Sequence, residues 1–66
     1  MSVDRYTYVV WWYEHDQQFV GQCTVFPSLS HLADTPNDAL SGVRDLVADT
    51  LEDMRRSGET LPDPGN

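Results

Sequence analysis

Few residues in this 66-residue chain have side chains that do chemistry, and they are scattered. Glu14-His15-Asp16 supplies metal-ligand types. Three consecutive residues in a turn cannot all face one ion, so the run reads as a solvated hairpin tip. Cys23 and His31 could form a thiol–imidazole pair only if the fold made them neighbours. No third residue to orient the imidazole and no oxyanion donor can be named. Cys23 therefore reads as a small buried apolar residue and His31 as a turn residue with a satisfied hydrogen bond. A metal-dependent nuclease of the ribonuclease-H type needs several carboxylates projecting from its sheet. Here Asp4 and Glu14 only flank the first apolar run, and the second has no acid. A protein that is not an enzyme, with no cofactor and no metal, is the expectation.

Two other groups of residues are suited to binding. Trp11-Trp12-Tyr13 lies in an extended, aromatic run, and adjacent strand residues point to opposite faces. Both tryptophans cannot fill one core, and buried aromatics dominate interface energetics when they find pockets. Asp45, Asp49, Glu52 and Asp53 cluster on a helical segment. Such a cluster is either a solvated face or a docking surface for a basic protein.

Charge narrows the choice of partner. Eleven acidic residues against four arginines, with no lysine, give a net charge of −7. Nucleic acid is bound mainly by neutralising phosphates with Lys and Arg, so direct binding of DNA or RNA is not expected. A basic protein is the electrostatically favoured partner. Cys23 is the sole cysteine and Met1-Ser2-Val3-Asp4-Arg5 lacks the features of a signal peptide. Both point to a reducing cytoplasm. The apolar run is far shorter than the roughly 20 residues of a membrane helix, so no membrane association is expected.

The elements that must position these residues are legible from periodicity. Residues 5–13 (R-Y-T-Y-V-V-W-W-Y) and 19–26 (F-V-G-Q-C-T-V-F) read as strands of an antiparallel hairpin. Gly21 marks a bulge or a close backbone approach. Pro27-Ser28-Leu29-Ser30 should break the ladder, and residues 31–34 form a short third strand. Thr35 suits a helix N-cap, Pro36 the first helical position and Asp38 the positive helix end. Ala39, Leu40, Val43, Leu46, Val47, Thr50, Leu51 and Met54 then form one apolar stripe of a helix over 36–56. Arg55-Arg56 and Gly58 end the helix, and residues 58–66 form a tail. The fold class is thus α+β, a single domain with a three-stranded antiparallel meander and one helix on one face. One helix covers only one face of a sheet, yet the first strand is apolar on both. The second face must be covered by a fourth strand and loops or by another chain. At this length roughly 60% of the unfolded surface is buried, which also favours self-association into a dimer or tetramer.

The ordered set of segments resembles the N-terminal domain of HicB-family antitoxins from about Tyr6 to Pro64. It comprises the aromatic first strand, the E-H-D-Q-Q turn, F-V-G-Q-C-T-V-F, the run F-P-S-L-S-H-L-A-D-T-P-N-D-A-L, the helix body and G-E-T-L-P-D-P. The resemblance implies a partial ribonuclease-H-like or double-stranded-RNA-binding-domain-like β-β-β-α fold, often closed by a last strand. It also implies a small HicA-type toxin that cleaves messenger RNA as the partner. Most members add a C-terminal DNA-binding segment that represses their own operator. Only Gly65-Asn66 follow Pro64, so autorepression is not expected of this chain, nor is the closing strand. A homo-oligomeric domain that neutralises no toxin is the second reading.

Overall fold

The computed structural model describes residues 3–64. A 3-10 turn, Val3–Arg5, precedes strands β1 (Tyr8–Tyr13), β2 (Gln18–Cys23) and β3 (Phe26–Ala33), and helix α1 spans Pro36–Arg56. The strands form one antiparallel meander in the order β1-β2-β3. The helix packs on one face, chiefly across β2 and β3, and touches β1 least. The fold is α+β, as the periodicity predicts.

Helix α1 begins where its capping chemistry places it. The Thr35 hydroxyl accepts from the Asp38 amide at 3.1 Å, and Pro36 occupies the first turn, where a missing N–H costs nothing. At the other end Gly58 adopts φ 77°, and its amide donates to the Arg55 carbonyl. Ala39, Val43, Val47 and Leu51 are the buried residues of the stripe. Leu40, Leu46, Thr50 and Met54 flank them, half-buried.

Strand boundaries differ from the sequence expectation in three places. The first strand starts at Tyr8 rather than at residue 5, because Tyr6 turns into the core and the preceding residues wind into the 3-10 turn. The Tyr6 hydroxyl donates to the Pro62 carbonyl at 2.8 Å, and its ring packs beside Phe26 with centroids 6.2 Å apart. The second strand stops at Cys23 instead of residue 26, since Thr24-Val25 make the turn into β3. The third strand runs over Phe26–Ala33, not 31–34, and includes the Pro27-Ser28-Leu29-Ser30 segment. Proline is tolerated there because β3 is an edge strand, and the register shifts between Gln22 and Cys23 just beside it. Among the described residues no fourth strand closes the sheet. The tail instead leaves the helix, and Leu61 packs on the core formed by Tyr6, Cys23, Val47 and Leu51.

Two glycines set how closely helix and sheet approach. Gly21 of β2 faces the Ala39 carbonyl of α1 so closely that a methyl group there would overlap it. Gly42 of α1 lies against the imidazole of His31, which fills the space a side chain would need. Gly21→Ala should therefore lower stability by about 1–3 kcal/mol through forced separation of helix and sheet. Chemical denaturation followed by circular dichroism measures this. Gly42→Ala should also destabilise, although alanine favours helix by about 1 kcal/mol. Adding His31→Ala should recover part of the Gly42→Ala loss.

Candidate functional site

The face of the sheet that the helix leaves open is the candidate site. Gly21 faces α1, so Phe19 and Cys23 share its side of β2, with Tyr8, Val10 and Trp12 opposite them on β1. The alternate residues point the other way. They are Val9, Trp11 and Tyr13 of β1, Gln18, Val20 and Gln22 of β2, and Ser30 and Leu32 of β3. None of these eight strand residues is charged, in a chain with a net charge of −7, and the Asp34 carboxylate just past β3 accepts from the Gln18 side chain at one end of the face.

Its apolar centre runs straight across the three strands. Trp11 opposes Val20, and Val20 opposes Leu32. Val20 is only 4% exposed although no helix covers it, so its neighbours on the same face shield it. Those neighbours remain open to solvent, with Val9, Trp11 and Tyr13 among the exposed large apolar residues. Trp11 and Tyr13 meet edge to face at 5.7 Å, and the Trp11 indole N–H donates to the Gln22 side-chain oxygen at 3.1 Å. These contacts fix the rings as rigid anchors before any partner arrives. At one side of the face is a shallow cleft of about 270 Å³ lined by Val9, Gln22, Cys23, Thr24 and Pro27.

Trp12 projects to the helix side yet is 45% exposed, because α1 lies over β2 and β3. It packs edge to face on Phe19 at 5.0 Å, and its indole N–H donates to the Glu14 carboxylate at 2.8 Å. Thus Trp11-Trp12-Tyr13, singled out as a binding run, is split between the faces: Trp11 and Tyr13 lie on the open face, Trp12 on the other.

The helical carboxylates are likewise divided. Glu52 pairs with Arg55 at 2.6 Å and lies 3.9 Å from Arg56, while Asp53 pairs with Arg56. The last helical turn therefore offsets its own acidic charge. Asp45 and Asp49 are exposed, and no ion pair engages them among the described residues. Arg44, the remaining helical cation, pairs with Asp4 and stacks over the Tyr8 ring at 5.6 Å. The helical carboxylates lie on the side of the molecule opposite to the open face.

The candidates for chemistry are placed apart. Cys23 is buried and opposes Phe26, whereas His31 opposes Gly21 in β3. His31 is thus a strand residue packed against the helix, not a turn residue. His15 sits at the exposed hairpin tip with its ring 5.9 Å from Tyr13. Among the described residues no group of three or more His, Cys, Asp or Glu side chains could hold a metal ion. No helix is long and apolar enough to cross a membrane among the same residues. Sequence reasoning did not anticipate Val20 and Leu32 as parts of the site. The alternation of β2 shows Val20, but the third strand had to be extended to place Leu32 beside it.

The hairpin tip gives a direct test of this geometry. The Glu14 carboxylate accepts from the Trp12 indole and, at 2.6 Å, from the Gln17 side chain. The bond from Trp12, then that from Gln17, holds its pKa below the ordinary glutamate value. A lowered pKa in the fold means this stabilisation is present above the unfolded value of about 4.3 and is lost as pH falls through the lowered one. The Trp12 indole N–H resonance should shift with a midpoint below that of free glutamate. Glu14→Gln keeps an acceptor and should abolish the inflection.

Comparison with family models, with curated proteins and with solved structures finds no match for this chain.

Proposed function

We propose that this chain is a HicB-like antitoxin domain, a cytoplasmic protein without catalytic activity that binds a HicA-type, mRNA-cleaving toxin and occludes its working surface. The observation that carries this reading is the sheet face left open, with exposed apolar and aromatic residues on strands that present no charge to it, in a chain of net charge −7. Contiguous apolar surface of this kind marks interaction sites on small soluble proteins. The β-β-β-α order of the fold is also the one the family resemblance implies.

An mRNA-cleaving toxin must present cationic residues to hold phosphates. An acidic partner is drawn to that surface, and its field raises the association rate. Trp11, Tyr13 and Leu32 then supply rigid apolar anchors whose burial holds the complex together. Asp45 and Asp49 act in steering, while Glu52 and Asp53 contribute less because Arg55 and Arg56 offset them. Inhibition needs no chemistry on this side: a toxin covered at its RNA-binding surface cannot reach its substrate.

The test pairs the purified chain with a short basic HicA-type toxin. Binding is read by calorimetry and rescue by growth during toxin expression. Trp11→Ala should weaken binding at least about tenfold, the scale of an interface anchor. Leu32→Asp should weaken it similarly with the fold intact, since that side chain is surface-exposed. Asp45→Asn with Asp49→Asn should slow association at low salt and leave dissociation nearly unchanged. A chain that neither binds such a toxin nor relieves its growth arrest overturns the reading and leaves the homo-oligomeric alternative.

A further inference from the structure

Apolar exposure in this molecule is concentrated on one strand, and on both sides of it. Of the five exposed large apolar residues among the described residues, Val9, Trp11, Trp12 and Tyr13 belong to β1, and only Leu32 does not. Val9, Trp11 and Tyr13 point to the open face and Trp12 to the helix side. A partner stacked on the open face would leave Trp12 in water, and one on the helix side would leave Trp11. Only a neighbour arriving in the plane of the sheet, along the outer edge of β1, covers both.

That edge is built to accept a strand. The Thr24 amide donates to the Thr7 carbonyl, so Thr7 and Thr24 form a hydrogen-bonded pair. Along an antiparallel ladder such pairs alternate. Val9, Trp11 and Tyr13 therefore bond inward to β2, and the backbone N–H and C=O groups of Tyr8, Val10 and Trp12 point outward. Natural edges are usually blunted by proline, lysine, bulges or inward charges. Strand β1, Y-V-V-W-W-Y, contains no proline and no charge, and its register with β2 is regular. The opposite edge, β3, carries Pro27 and lies beside the register shift at Gln22/Cys23. One edge is protected and the other is not.

We infer that a second copy of this chain occupies the edge, with β1 pairing antiparallel to the β1 of its twin about a twofold axis to make one continuous six-stranded sheet. Charge selects the twin and the antiparallel sense. Exposed Arg5 precedes β1 beside the Asp4–Arg44 ion pair, which leaves that end with one net positive charge, and exposed Glu14 and Asp16 follow the strand. Antiparallel self-pairing brings the basic end of each strand beside the acidic end of the other. In the symmetric register Val10 opposes Val10 of the twin and Tyr8 opposes Trp12, so about six backbone hydrogen bonds form. Trp11 then lies beside Val9 of the twin. Because α1 lies over β2 and β3, the two helices stay about 20 Å apart, beyond the ~8 Å screening length at physiological salt. Repulsion between two copies of charge −7 is least in this arrangement. Edge pairing covers only the flank of Trp11 that faces the twin, so the open face stays accessible on both copies and the inference does not depend on what binds there.

The chain alone, without toxin, tests this. Sedimentation equilibrium from 1 to 100 μM (about the range in which weak dimers separate from stable ones) should show a dimer. In the dimer, hydrogen exchange should find the amides of Tyr8, Val10 and Trp12 protected at high concentration and released on dilution. Val10→Pro removes the outward amide at the symmetry axis and should weaken the dimer at least tenfold with an unchanged circular dichroism spectrum. If that variant does not fold, amide exchange of the unaltered chain still decides. A monomer throughout, or a dimer in which these three amides exchange freely, overturns the inference; the second outcome indicates stacked faces. Toxin binding is scored separately, so failure here leaves the proposed function standing and the reverse.

Discussion

Backbone meets backbone where α1 crosses β2, at Gly21 and the Ala39 carbonyl, with no side chain between them. The Gly42–His31 contact repeats the arrangement on β3 with the roles exchanged, a ring from the strand lying on a bare patch of helix. Close approach at these two points lets a stripe of small residues, Ala39, Val43 and Val47, reach complete burial against a three-stranded sheet. It also fixes the helix over β2 and β3. A single helix placed there cannot shield β1 or the far face, so the exposed aromatics follow from where the helix is anchored.

The uncovered surface and the charged surface are consequently on opposite sides. Carboxylates decorate the outer side of α1, and part of their charge is offset within the same helix by Arg55 and Arg56. The strands of the far side are apolar with amide and hydroxyl groups, and its ionisable groups, the Tyr13 phenol, His15 beside it and the Asp34 carboxylate bonded to Gln18, gather at the hairpin end. A molecule so divided attracts cationic partners from a distance through one side and offers burial through the other. Long-range attraction and short-range contact are thus supplied by different residues, and substitutions can separate them.

Much of this was legible in the sequence, for identifiable reasons. The limits of α1 were readable because Thr35, Pro36 and Gly58 each act through local chemistry that tertiary structure does not override. The two-faced character of β1 followed from the alternation of Trp11 and Trp12. Strand ends were less legible. Tyr6 has the composition of a strand residue, but its ring is drawn into the core by Phe26 and the Pro62 carbonyl, a partner 56 positions away. Pro27 reads as a ladder breaker, and only its place on an outer strand makes it compatible with pairing. The acidic cluster looked uniform, since the ion pairs that divide it depend on side-chain geometry.

The bond from the Tyr6 hydroxyl to the Pro62 carbonyl has a mechanical consequence. It ties the segment before β1 to the segment after α1, so the two ends of the described chain leave from one corner of the molecule. A pull applied between those ends loads this single hydrogen bond and the packing of Leu61 first. The inter-strand ladders, which share load across many bonds, are strained only after the corner has opened. Under tension the molecule would yield in two stages, a soft release of the tail followed by a stiffer rupture at β2, where both ladders meet.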